Sequence, residues 1–222
     1  MPEYKADEGA LLTDRPQQQN VAVRPVSVVT LTLIAINVLI FVVMVVKGVS
    51  ATYPTPEDLL PWGADFGPLT LGAGQWWRLF TACFLHFGII HIGFNMYVLY
   101  QVGMTTEFLY GRAKYLFIYL LAGVGGNIVS LYVHPDSVGA GASGAIFGVY
   151  GAFLGFLLIR RSVIPKAAMG QMVQSAAIFL GINLVYGLAR AETDLSAHIG
   201  GLAIGFMLGC YLSHGPASDT VR

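Results

Sequence analysis

Residues 26–46 form an uncharged apolar run bounded by Pro25 and Lys47. A helix of roughly 20 mostly apolar residues matches the hydrocarbon thickness of a bilayer, so the run reads as a retained spanning helix. A signal peptide would have a shorter apolar stretch and a small-residue cleavage site. Segments 114–132 and 142–159 qualify as spans on the same ground, 167–188 is long enough, and 196–212 is short but continuous. Segment 88–108 is apolar yet carries His91, Asn95, Gln101 and Glu107. The chain therefore predicts an all-α membrane protein with six transmembrane helices, 88–108 being the second. Composition agrees: only 11% of residues are charged, against about 25% in a soluble domain.

The connection 47–87 holds Pro54, Pro56, Pro61 and Pro68 together with Trp62, Trp76 and Trp77. Tryptophan favours the membrane–water boundary because its ring is apolar and its N–H wet, so this stretch reads as a large first outer loop. Residues 1–24 are polar and read as a disordered cytoplasmic tail; 25–213 form the membrane domain and 214–222 a second cytoplasmic tail. With the N-terminus inside, Lys5, Arg15, Arg24, Arg112, Lys114, Arg160, Arg161, Lys166 and Arg222 are cytoplasmic, and only Lys47, Arg78 and Arg190 are outside. Basic residues concentrate on the cytoplasmic side of membrane proteins, which supports that orientation. The short tails and the lack of a targeting peptide point to a prokaryotic plasma membrane. A formal net charge of zero leaves no basic footprint for nucleic acid. Cys83 and Cys210 share no motif and read as small apolar residues.

Polar side chains within a membrane are costly and usually face the interior of the bundle. Here they gather at the starts of alternate spans: His91 and Asn95 on the second, Ser143 on the fourth and His198 on the sixth. At about 1.5 Å rise per residue, all four lie within roughly 10 Å of the outer boundary. Ser143 sits in Gly-Ala-Gly-Ala-Ser-Gly-Ala, residues 139–145. A serine needs an adjacent base to act as a nucleophile, and a helix N-terminus offers N–H groups to a developing oxyanion. The other reading is a hydroxyl bonded to its own helix in a small-residue seam. His198 precedes Gly201, Gly205 and Gly209, and Ser143 precedes Gly144, Gly148, Gly151 and Gly155. Such series let helices pack backbone to backbone; if the two meet, the serine and the histidine come within hydrogen-bonding reach. Otherwise His198 is a structural histidine satisfied by a carbonyl. His91 and Asn95 share a helix face and can both donate to an oxyanion, or else make a polar helix contact.

No metal site is expected. His86 and His91, five residues apart, would point about 140° from each other on a helix, and no glutamate follows His86 as a zinc-protease motif requires. Every Asp lies in a tail or loop, which removes an aspartyl protease and argues against an ion-coupled transporter or channel. Glu107, the one acid within a span, reads as a helix-end residue interacting with Arg112 or Lys114.

Taken in order, Trp77-Arg78, His86-Phe-Gly-Ile-Ile-His91 with Asn95, Gly141-Ala-Ser143-Gly144, and Ala197-His198-Ile-Gly-Gly201 with Gly205 resemble the rhomboid family of intramembrane serine proteases. The resemblance implies a six-helix rhomboid-like bundle with a water-filled cavity open to the outer side. It implies an endopeptidase that cleaves single-pass transmembrane proteins near the outer face, through an acyl-enzyme and without a cofactor. Ser143 would be the nucleophile and His198 the general base and then acid. His91, Asn95 and the Ser143 N–H would line the oxyanion hole, and His86 would support the site. Trp77-Arg78 would stabilise the first loop, and Gly201 and Gly205 would give close packing. Phe147 stands where many bacterial members carry Tyr, so a ring can stack on His198 but no hydroxyl is present. Asp194, four residues before His198, is expected to be exposed in the outer loop, leaving a Ser–His dyad without a third acid. Members lacking the serine or histidine are inactive; a non-catalytic relative that binds membrane segments is the rival within the family.

Overall fold

In the computed structural model, residues 27–189 and 194–214 are described. The predicted tail 1–24, Arg190 and the last residues 215–222 lie outside them. The helices run in the order α1 (Val28–Val46), α2 (Pro56–Leu59), α3 (Arg78–Thr81), α4 (Ile89–Tyr110), α5 (Arg112–Val133), α6 (Ser143–Ile159), α7 (Lys166–Ala189) and α8 (Leu195–Leu212). No strand occurs among the described residues, and Asp65 and Gly139 form an isolated antiparallel bridge. Six helices are long, from the 17 residues of α6 to the 24 of α7. Among the described residues, α1, α5 and α8 are long and apolar enough to cross a membrane. A fourth span results if α4 is joined to 78–84, which meets it at 90°.

α6 is the centre of the bundle and is buried along most of its length, from Gly144 to Leu157. Lipid offers no hydrophobic force to drive helices together, so small residues that permit van der Waals contact decide the packing. The two glycine series do meet. A Cβ added at Gly201 would lie 2.1 Å from the Gly144 carbonyl oxygen, one at Gly205 1.9 Å from that of Gly148, and one at Gly209 2.5 Å from Ala152 Cα. α5 closes the other side of α8: a Cβ at Gly126 would sit 2.7 Å from the Ala197 carbonyl oxygen. Gly111, with φ +75°, caps both α4 and α5, and its left-handed backbone allows the turn between them without strain.

Two readings of polar residues change. Glu107 does not turn to Arg112 or Lys114. Its carboxylate accepts the Val29 and Thr30 backbone N–H groups and the Thr30 hydroxyl at 2.8–3.0 Å. Free N–H groups at a helix start attract an anion, and α1 begins beside the end of α4. The second change concerns His86, which lies before α4 rather than on it, so the helical-angle argument about its direction relative to His91 does not apply.

The connection between α1 and α4 is built around Arg78. Its buried guanidinium donates to the Leu60 and Ala64 carbonyls and to the Gln75 side chain, and lies 4.8 Å from the centre of the Trp77 ring. Trp76 and Trp77 are more than half exposed.

Candidate active site

The four polar residues singled out in the sequence converge at the end of the bundle where α4, α6 and α8 begin. Ser143 opens α6 and His198 sits in the first turn of α8. His198 Nε2 lies 2.9 Å from Ser143 Oγ. This approach follows from the backbone contact of the glycine series, because a helix pair touching at Gly144 and Gly201 holds the adjacent side chains together. His198 is buried, and its Nδ1 has no hydrogen-bond partner among the described residues. When the serine hydroxyl donates to Nε2, the proton of the neutral ring sits on Nδ1. Phe147, one turn along α6, stacks on the imidazole with centroids 4.2 Å and planes 9° apart.

His91 opens toward the same point. Its Nδ1 accepts the Phe87 N–H at 3.3 Å, which leaves the proton of a neutral ring on Nε2. A Cβ built on Gly141 would lie 3.2 Å from that nitrogen and 3.5 Å from Ser143 Oγ. Gly141 has φ +145°, so a side chain there would be strained as well as crowded between Ser143 and His91. Asn95 is buried one turn along α4, and its Nδ2 has no partner among the described residues. A buried amide donor without an acceptor is costly and is rare enough to call for an explanation. The first turn of a helix also leaves backbone N–H groups without intrahelical partners.

The remaining predicted residues surround this point. His86 is fully buried, edge-on to His91 at 5.1 Å, and neither of its ring nitrogens has a partner among the described residues. Among the described residues, no three His, Cys, Asp or Glu side chains group as a metal site. Gly144, Gly201 and Gly205 lie in the α6–α8 seam, whereas Trp77 and Arg78 belong to the α1–α4 connection, away from the Ser143–His198 pair.

Asp194 is half-buried rather than exposed. It caps α8, accepting the Ser196 and Ala197 N–H groups at 2.9 and 3.2 Å and the hydroxyls of Ser196 and of Ser130 on α5. Burial alone would raise its pKa, but these hydrogen bonds, led by Ser130 and Ser196, outweigh it and hold the carboxyl below its ordinary value. The sequence reading missed Ser130. It also missed Asn127 of α5, which donates to the Leu79 carbonyl at 2.8 Å; polar residues inside a span are the signal that could have exposed both. Phe179 of α7, whose ring lies 6.0 Å from Phe147, carried no such signal.

A hydroxyl, an imidazole within hydrogen-bonding distance and two donors nearby are the components of acyl transfer. A model of the Rhomboid domain matches residues 73–215. The chain is 39% identical over 177 residues to Rhomboid protease GluP of Bacillus subtilis (strain 168), covering 80% of this chain and 33% of that protein. It is 38% identical over 165 residues to RHOMBOID-like protein 6, mitochondrial, of Arabidopsis thaliana, covering 74% and 53%. With Rhomboid protease AarA of Providencia stuartii it shares 30% over 202 residues, covering 81% and 70%. The chain thus spans about a third of the Bacillus protein and about half of the Arabidopsis one. The apolar helices, the family model and these relatives together make the chain an integral membrane protein belonging to the rhomboid family.

Proposed function

We propose that this chain is an intramembrane serine endopeptidase. Ser143 is the nucleophile, His198 the base, and His91, Asn95 and the Ser143 N–H the oxyanion donors. The observation that carries the reading is the 2.9 Å approach of Ser143 Oγ to His198 Nε2, beside two donors left without other work. In the fuller reading six helices span a bilayer, the plasma membrane of a prokaryote, between cytoplasmic tails. The N-terminus is inside, and the dyad lies near the outer face. A single-pass substrate helix approaches laterally and unwinds at its top, because peptide bonds in an intact helix are shielded by their own hydrogen bonds. Small or helix-breaking residues near the cleavage point help, since they lower helix stability.

His198 takes the Ser143 proton as the oxygen attacks the carbonyl. The oxyanion receives hydrogen bonds from Asn95, from His91 Nε2 and from backbone. His198 then gives its proton to the leaving amine, and water hydrolyses the ester by the reverse route. Nothing in the first step calls for a third acid: Asp194 is engaged at the helix cap, and the Phe147 ring holds the imidazole plane.

The test uses the full chain, purified and reconstituted, with a panel of single-span segments. Wild type cleaves at least one of them and reacts with a fluorophosphonate. Ser143→Ala inserts normally but does neither, and His198→Ala does not label. Undiminished cleavage by Ser143→Ala would refute the assignment, and equal labelling of His198→Ala would remove the base. Binding of segments without cleavage, insensitive to Ser143→Ala, would make the chain a non-catalytic binder.

A further inference from the structure

The connection 134–142, which delivers Ser143 to its place, is held by backbone hydrogen bonds to the long α1–α4 connection. The Asp65 N–H donates to the Gly139 carbonyl and the Gly139 N–H to the Asp65 carbonyl, both at 2.8 Å. The Gly67 N–H donates to the Pro135 carbonyl at 2.9 Å, and the Gly141 N–H to the Ala82 carbonyl at 2.9 Å. Every partner belongs to 64–82, and Gly141 lies two residues before the nucleophile.

The supporting side is itself braced. Arg78 donates to the Ala64 carbonyl, next to Asp65, at 2.9 Å. The Thr70 hydroxyl donates to the Asp65 carboxylate at 2.6 Å and accepts the Phe66 N–H at 3.2 Å. The approach at Gly67 tolerates no side chain: a Cβ there would lie 2.3 Å from the Pro135 carbonyl oxygen, a backbone atom with no rotamer to relieve it.

We infer that residues 64–70 form a latch that positions the nucleophile loop, with Gly67 and the Thr70–Asp65 pair as positioning residues for the reaction. A reacting group displaced by about 1 Å can lose on the order of a hundredfold in rate. The loop 134–142 has no helix of its own to prevent such a shift. The inference deepens the reading of Ser143 as nucleophile and rests on it.

The test compares Gly67→Ala, Thr70→Val and a control, Gly72→Ala, whose added Cβ meets nothing within 4 Å. Three quantities are measured on the full chain: the rate of fluorophosphonate labelling, kcat and KM for a cleaved segment, and amide hydrogen exchange across 137–141. Gly67→Ala should lower labelling and kcat by roughly tenfold or more, with KM little changed and exchange in 137–141 faster. Thr70→Val should do the same more weakly, and Gly72→Ala should match wild type. Wild-type labelling and exchange in a folded Gly67→Ala chain would overturn the latch. So would a rise in KM alone, which would make the connection a substrate contact. If Gly67→Ala fails to fold, Thr70→Val decides by the same criteria. If wild type neither labels nor cleaves, the Ser143 reading fails by itself, while the exchange comparison still decides whether the latch holds the loop.

Discussion

Phe147 lies flat on His198, with ring centroids 4.2 Å and planes 9° apart, and so fixes the plane in which the imidazole meets Ser143. The stack is a tertiary contact between α6 and α8 that exists only because the glycine seam brings those helices together.

Replacing the ring tests its orienting role. Phe147→Ala removes a stacking contact worth about 0.5–1.5 kcal/mol beyond its buried area and frees the imidazole to turn. Labelling of Ser143 should fall by about two- to tenfold on the same scale, whereas Phe147→Tyr, which keeps the ring, should stay close to wild type. Equal labelling by Phe147→Ala would show that the ring does not hold the imidazole.

Asn95 makes a different kind of prediction. Its buried Nδ2 has no partner among the described residues, so removing it costs the fold no hydrogen bond there. In the proposed mechanism Asn95 is an oxyanion donor, and loss of one such donor typically lowers kcat by about 10²–10³. Asn95→Ala should therefore lose activity on that scale while its thermal unfolding midpoint stays within a few degrees of wild type. A large drop in midpoint with normal kcat would mark Asn95 as a packing residue.

The α6–α8 seam should tolerate no methyl group. At Gly205 an added Cβ would come 1.9 Å from the Gly148 carbonyl oxygen, and overpacking of this kind costs about 1–3 kcal/mol or more. Gly205→Ala should lower the unfolding midpoint and also abolish labelling, because separating the helices pulls His198 from Ser143. Gly93→Ala, where nothing lies within 4 Å, serves as the comparison and should keep the wild-type midpoint.

Glu107 holds the start of α1 through three hydrogen bonds. Glu107→Ala leaves buried N–H groups unsatisfied, at about 1–3 kcal/mol. Thermal unfolding should show this loss, with the labelling rate of the surviving folded protein unchanged. A mutant as stable as wild type would mean that water replaces the carboxylate.

Asp65 predicts a pH dependence. Burial pushes its carboxyl up from 3.8 to about 6, against the hydrogen bonds from Thr70 and the Phe66 backbone and the charge of Arg78. Between those two pH values the folded chain keeps a proton that the unfolded chain has lost, so stability declines as pH rises through that window. Asp194 acts in the opposite sense and lower on the scale: its folded pKa lies below the ordinary value, so its contribution is lost only as pH falls beneath that value. Asp65→Asn should flatten the decline between pH 4 and 6. Unfolding midpoints of the two proteins measured across that range check it, and identical slopes would contradict the assignment.

Hydropathy and small-residue spacing are local properties, and they suffice for much of this protein. The long apolar helices are legible as runs of roughly 20 residues. The series Gly144–Gly148–Gly151–Gly155 and Gly201–Gly205–Gly209 predicts the seam, and the seam brings Ser143 toward His198. What the sequence left open is which partner each polar group takes. Glu107 has basic residues a few positions away, yet it bonds Thr30, 77 residues distant; Asp194 bonds Ser130, 64 residues distant; Asp65 pairs with Gly139. A buried polar group is satisfied by whatever the packed helices bring beside it. That pairing is a property of the assembled bundle, because in the extended chain these groups are far apart and bonded to water.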